Sequence, residues 1–173
     1  EVQTVLAVDD DESVLRLMEH ILASRKYRVL TARAGREALA KVREAMPDLV
    51  ILDGMLPEVH GFEICRQLKT SERFRHIPVI MVSAIHTGWR FAADVKEKYG
   101  ADDYLETPFS ARELLARARA RIEIARIRQD ADAATRQSAE QLRLVGRRRA
   151  WRFEVADLGP GLAAGDEERV FRQ

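Results

Sequence analysis

A chain of 173 residues with 29 Lys and Arg against 28 Asp and Glu has a net charge of +1, with 33% charged and 46% apolar residues. Such a balance describes an ordinary globular protein with room for one complete domain and an appendage, and it argues against a nucleic-acid partner held by net positive charge. No apolar run approaches the roughly 18 residues of a membrane span, and Glu1-Val2-Gln3-Thr4 is neither a basic nor an apolar leader, so a cytoplasmic protein with no membrane partner is expected.

In chain order, short apolar runs alternate with helical patterns. Val5-Leu6-Ala7-Val8, Val29-Leu30-Thr31-Ala32, Leu49-Val50-Ile51-Leu52, Val79-Ile80-Met81-Val82 and the weaker Tyr104-Leu105 read as five strands. Between them Val14, Leu17, Met18, Ile21 and Leu22, then Ala38, Leu39, Val42 and Met46, then Phe62, Ile64, Cys65 and Leu68 recur at helical spacing. Pro47 closes the second helix, Pro78 stands at the entrance of the fourth strand and Gly100 ends the helix before the fifth. Strands this continuously apolar are buried on both faces, which predicts an α/β fold with a parallel sheet between helices and right-handed crossovers. The single cysteine, Cys65, excludes an internal disulfide and a thiolate metal site, and is expected to serve as a small buried hydrophobe.

From Ser110 the pattern changes. Ser110-Ala-Arg-Glu113 is a capping box, and no Gly or Pro follows until Gly146, so one helix can run that far. Leu114, Leu115, Ala118 and Ile122 can face a sheet, whereas 128–141 is polar and Ala-rich and reads as a projecting helix. Ile124, Ile127, Leu142 and Val145 are sparse for heptads and signal a coiled coil only weakly, although the length and polar middle of 110–145 leave a dimer through this helix open. Arg147-Arg148-Arg149 is expected to complement the helix dipole or stay solvated.

In an open parallel sheet, ligands bind beyond the carboxyl ends of the strands where the strand order reverses. Asp9, Asp10 and Asp11 follow the first strand and Asp53 follows the third, so carboxylates from two strands converge on one crevice. Asp11 and Glu12 are expected to cap the first helix. Asp9, Asp10 and Asp53 repel one another without a cation, and hard oxygen ligands of this kind suit Mg²⁺. A carboxylate beside such a metal can act as a nucleophile toward a phosphoryl group. Ser83-Ala84 ends the fourth strand at the same edge, and Pro108-Phe109 follows the fifth.

These residues resemble a two-component response-regulator receiver domain. The resemblance rests on Val8-Asp9-Asp10, Leu52-Asp53-Gly54-Met55-Leu56-Pro57 with Gly61, Val82-Ser83-Ala84, and Gly100-Ala101-Asp102-Asp103-Tyr104-Leu105 leading to Pro108-Phe109; it covers about 4–127. It implies a flavodoxin-like, doubly wound five-stranded parallel sheet of order 2-1-3-4-5 with an extended C-terminal helix. It further implies that Asp53 is the phosphoacceptor for a histidine kinase or phosphotransfer protein, and that Mg²⁺ is held by Asp9, Asp10, Asp53 and the Met55 backbone carbonyl. Ser83 stands where the family places a phosphoryl-binding hydroxyl and Tyr104 where it places an aromatic switch, with readout to a downstream effector through the fourth helix, fifth strand and fifth helix, a face on which such domains also form homodimers. The family's Lys before Pro108 is replaced by Thr107, which offers one neutral hydrogen bond and no cation. Metal binding is expected to survive that change, while phosphate sensing is weakened unless a cation such as Arg90 substitutes. A degenerate receiver serving as a constitutive interaction or dimerisation module therefore stays open, as does part of a receiver-containing histidine kinase.

Phe153-Glu-Val-Ala-Asp157-Leu-Gly159-Pro-Gly161-Leu162, followed by Val170-Phe171, resembles the D-x-G-x-G segment of a histidine-kinase ATP-binding domain. A Gly-Pro-Gly turn closing a short hairpin accounts for the same residues, and so few residues cannot bury a core. The expected organisation is a receiver domain at 1–127, a helical extension at 128–150 and a kinase-like fragment at 151–173 that does not bind ATP alone.

Overall fold

The computed structural model describes residues 2–84 and 95–156, with side chains as far as Val145. Five strands, β1 (Thr4–Val8), β2 (Arg28–Ala32), β3 (Leu49–Asp53), β4 (Val79–Ser83) and β5 (Asp103–Glu106), form one all-parallel sheet of order β2-β1-β3-β4-β5. The connections carry α1 (Glu12–Ala23), α2 (Gly35–Ala45), α3 (Gly61–Thr70), and α4, described over 95–99; α5 (Ala111–Ala156) follows β5. The fold is the expected flavodoxin-like α/β arrangement. The chain divides into two units, Glu1–Gln129 and Asp130–Gln173. The sheet lies in the first; in the second, the residues described to Val145 are helical and exposed.

Because successive strand residues point to opposite faces, each strand feeds two cores. Leu6, Val8, Val50, Leu52 and Met81 meet Ala38 and Val42 of α2 and Ile64, Cys65 and Leu68 of α3. Val5, Ala7, Ile51, Ile80, Val82 and Leu105 meet Leu15, Met18, Ile21 and Leu22 of α1 and Leu114, Ala118 and Ile122 of α5. Each of these larger side chains contributes about 1.5–3 kcal/mol on burial, which is why runs of four apolar residues suffice for a central strand. Cys65 is fully buried among them, and burial pushes its thiol up to about 12, so it is an inert core residue.

Local chemistry sets the boundaries. Asp11 caps α1 by accepting from the Ser13 amide at 2.8 Å, and Ser110 caps α5 by accepting from the Glu113 amide at 3.1 Å. α2 ends on Met46 in the left-handed conformation (φ 45°), a role for which Gly is the usual residue, with Pro47 blocking continuation. α5 runs through Gly146 and on to Ala156; one glycine in a helix costs about 1 kcal/mol relative to Ala and does not stop it.

Two ion-pair clusters tie elements together. Lys69 of α3 pairs with Asp102 at 2.5 Å and donates to the Ile77 carbonyl at 2.7 Å. Asp103, only 5% exposed, accepts from Arg117 at 2.9 Å and Arg121 at 2.8 Å, fastening α5 to β5. Burial pushes the Asp103 carboxyl up, but the Tyr104 amide and the Arg121 and Arg117 guanidinium groups outweigh it and hold the carboxyl below its ordinary 3.8. A depressed carboxylate contributes stability above its ordinary value and loses it as pH falls through the folded one. Asp103→Asn is therefore expected to cost about 1–3 kcal/mol at neutral pH. In urea titrations the gap from wild type should close in acid; a gap that persists there would mean that the charge is not its source.

Candidate functional site

Strands β1 and β3 are neighbours, yet the chain leaves β1 toward β2 on one side and β3 toward β4 on the other. The sheet order reverses between them, opening a crevice at their carboxyl ends. The register sets Val8 beside Leu52, so Asp9 and Asp53, one residue further along, emerge side by side. Asp9, Asp10 and Asp53 each offer a carboxylate oxygen within 4.8 Å of the others. Asp9 is buried, Asp53 half-buried and Asp10 exposed.

Burial pushes the Asp9 carboxyl up to about 6, opposed by the Asp11 amide at 2.9 Å and reinforced by the charges of Asp53, Asp10 and Asp11. Asp53 is also raised, by burial first and by Asp10 after it, against hydrogen bonds from the Met55 and Gly54 amides. Carboxylates that repel one another out of bulk water form a donor set that fits a hard divalent cation.

The loop after Asp53 is held by close backbone approach. Gly54 donates to the Val82 carbonyl at 2.9 Å, and Gly61 donates to the Gly54 carbonyl at 3.1 Å. A Cβ on Gly61 would lie 1.8 Å from the Asp53 carbonyl oxygen, and one on Gly54 would lie 2.7 Å from the Phe62 ring. Only glycine lets the start of α3 pack this tightly against the residue that presents the carboxylate.

Ser83, 1% exposed, ends β4 on the same edge, and its carbonyl accepts from the Thr107 amide at 3.1 Å and the Tyr104 hydroxyl at 3.3 Å. Burial raises the Tyr104 hydroxyl, as does Glu106, while the bond to Ser83 lowers it. A crevice of about 320 Å³ is lined by Asp9, Asp10, Asp53, Met55, Ser83, Ala84 and Thr107, with Val14 and Val82 as apolar wall. The expected site residues thus share one crevice, except Tyr104, which reaches it through Ser83. No Lys or Arg is among the described residues of the lining.

Arg33 was not anticipated from sequence. It follows β2, the strand beside β1, and its guanidinium donates to the Asp10 carbonyl at 3.3 Å and pairs with Glu12 at 3.8 Å. The signal was its place directly after a strand end. Arg90, Asp157, Gly159 and Gly161 lie outside the described residues. Among the described residues no helix is long and apolar enough to cross a membrane.

The family profile described as the response regulator receiver domain matches residues 5–119. The alkaline phosphatase synthesis transcriptional regulatory protein PhoP of Bacillus subtilis is 40% identical over 116 residues, covering 67% of this chain and 47% of that protein. The DNA-binding response regulator MtrA of Mycobacterium tuberculosis is 37% identical over 120 residues, covering 69% and 50%. The chain thus spans about half the length of the curated relatives it matches. Among solved structures, a chemotaxis response regulator of Vibrio cholerae superposes with a TM-score of 0.65 at 30% identity, covering 70% of this chain and 99% of that one. With the carboxylate crevice at the β1/β3 reversal and a matching profile across most of the sheet, the chain belongs to the response regulator receiver domain family.

Proposed function

We propose that this chain is a phosphoacceptor module of two-component signalling, with Asp53 as acceptor and a histidine kinase or phosphotransfer protein as donor. The observation that carries the reading is the convergence of Asp9, Asp10 and Asp53 within 4.8 Å beside Ser83. A carboxylate oxygen of Asp53 attacks the phosphorus of the donor's phosphohistidine. The new P–O bond makes an acyl phosphate as the N–P bond breaks, and the imidazole nitrogen keeps the electron pair; the one proton of the neutral ring is either already on its other nitrogen or is taken from water. Asp9, Asp10, Asp53 and the Met55 carbonyl would hold Mg²⁺, whose chemistry is to neutralise charge on the transferring group. Ser83 and Thr107, which line the same crevice, would meet phosphoryl oxygens. Tyr104, hydrogen-bonded to the Ser83 carbonyl, links that event to the face of α4, β5 and the start of α5, where an effector would dock.

Thr107 favours a second reading, a degenerate receiver that acts as a constitutive interaction module, because the described lining holds no cation to meet the phosphoryl charge. One experiment separates the two. Incubation with a small-molecule phosphodonor and Mg²⁺ should add one phosphoryl group by mass to wild type and none to Asp53→Asn, and should shift the Ser83 and Tyr104 amide resonances. Thr107→Lys should increase the phosphorylated fraction. If only Thr107→Lys takes the group or shows the shifts, the acceptor chemistry is uncoupled in the natural chain and the second reading stands.

A further inference from the structure

We propose that the amino edge of the sheet, at the end of the domain opposite the carboxylate crevice, binds the phosphate backbones of duplex DNA. Two basic loops carry the inference. Arg25, Lys26 and Arg28 stand at the entrance of β2, and Arg73 and Arg75 at the entrance of β4. All are exposed, and among the described residues none of them forms an ion pair.

Each loop is built around an aromatic ring. Tyr27 and Phe74 pack against the two cores, which leaves the basic residues on either side of them in solvent. Backbone bonds hold both loops. The Lys26 amide donates to the Ala23 carbonyl at 2.9 Å and the Arg28 amide to the Gln3 carbonyl at 2.9 Å, while the Arg75 amide donates to the Ser71 carbonyl at 2.8 Å. The Arg73 guanidinium lies 5.2 Å from the centre of the Phe74 ring. Cations presented from a fixed backbone lose little freedom when they meet an anion.

A net charge of +1 conceals this edge, because Asp9, Asp10 and Asp53 collect at the other one. Strands of five residues, about 17 Å long, separate the two edges, which exceeds the Debye length of about 10 Å at 0.1 M salt. The crevice carboxylates therefore do not cancel the basic loops. Of the acids on the loops entering β3 and β4, Asp48 accepts from the Thr4 amide at 2.7 Å, and Glu72 offsets one charge of the second loop.

Geometry selects the partner. The sheet order places β2 three strand spacings from β4, so the two loops lie at least about 14 Å apart. That separation suits the two backbones flanking a major groove about 12 Å wide, and not successive phosphates of one strand, which are about 3.4 Å apart along the axis. Between the loops the edge is recessed into a cleft of about 180 Å³ with Gln3, Pro47, His76 and Pro78 in its lining, a concave surface that follows a rod better than a flat bilayer. Arginine and lysine on phosphates position a protein without reading bases, so the binding is independent of sequence.

Fluorescence anisotropy of a labelled duplex of about 20 base pairs should show binding by the 173-residue chain at about 50 mM salt, weakening about twentyfold when the salt is doubled, the slope for about five neutralised phosphates. Arg25→Gln with Lys26→Gln, and separately Arg73→Gln with Arg75→Gln, should each lower the log–log salt slope by about 1.8 without moving the urea midpoint. Arg16→Gln, on α1 and away from the amino edge, should leave the slope unchanged, and a duplex of scrambled sequence should bind alike. No binding at about 1 mM chain overturns the proposal. So does a slope that both double variants leave intact, which places the contact elsewhere, as on Arg147-Arg148-Arg149. A slope that falls in only one double variant overturns the two-backbone geometry, and binding to phosphatidylserine vesicles without binding to the duplex makes the edge a membrane surface instead.

Discussion

Asp102→Ala is expected to destabilise the fold by about 3–5 kcal/mol, the cost of stranding a desolvated charge. Asp102 closes a two-way bond with the start of β4: its amide donates to the Val79 carbonyl at 2.9 Å and its carboxylate accepts from the Val79 amide at 2.8 Å. The same carboxylate takes the Lys69 ammonium, whose side chain is 13% exposed. Gly100, at φ +73°, lets the loop pass close to the Lys69 stem: a Cβ there would lie 3.2 Å from the Lys69 Cβ and Cγ. Removing the carboxylate therefore leaves both the Val79 N–H and the Lys69 ammonium short of a partner, whereas Lys69→Ala leaves Asp102 still bonded to Val79.

The order of the two variants is the sharper test. Lys69→Ala should cost about 1–3 kcal/mol and Asp102→Ala more, both as a fall in urea midpoint with unchanged slope. If both fall within about 0.5 kcal/mol of wild type, the pair is screened like a surface salt bridge and the account is wrong. The clip sits at the amino edge of β4 and β5, whose far ends carry Ser83 and lead to Thr107, so it also sets how firmly the crevice wall is anchored.

That clip illustrates what sequence could not disclose. Lys69 and Asp102 each look like solvated surface charges, and their meeting depends on how α3 and the loop before β5 pack. Asp103 was visible only as part of a family motif, because its two arginines come from the next helix. Met46 adopts a left-handed cap with no glycine to mark it. By contrast, strands buried on both faces announce themselves as apolar runs, and β1 through β4 each extend one residue beyond their run. For β3 and β4 that extra residue is Asp53 or Ser83, so two of the site's polar residues are those at which buried pairing ends. Asp9, Asp10 and Asp53 were legible for that reason: a parallel sheet sends every strand's carboxyl end to one edge. The full strand order is implied only by the family resemblance, and the contact of Arg33 with the Asp10 carbonyl depends on β2 lying next to β1, which no local pattern reveals.

Asp9→Asn is expected to stabilise the metal-free protein at neutral pH while abolishing its stabilisation by Mg²⁺. The Asp9 carboxyl is raised from 3.8 to about 6, so its favourable contribution is complete below 3.8 and is lost as pH rises through about 6. Above that point the metal-free protein carries a charge it would rather neutralise, a penalty of about 3 kcal/mol for a shift of this size. Asparagine removes the charge yet keeps an oxygen for the Asp11 amide, now bonded at 2.9 Å. In wild type, Mg²⁺ at about 100 times its dissociation constant should add about 2.7 kcal/mol. Protons compete for the same oxygens, so that gain should shrink as pH falls from about 8 to about 5. Thermal unfolding with and without Mg²⁺ across that range reads both effects. A Mg²⁺ shift that is independent of pH, or that survives in Asp9→Asn, would place the cation somewhere other than the β1/β3 crevice. A metal-free Asp9→Asn no more stable than wild type would mean that water already screens the three carboxylates, and the crevice would have no charge repulsion for a cation to relieve.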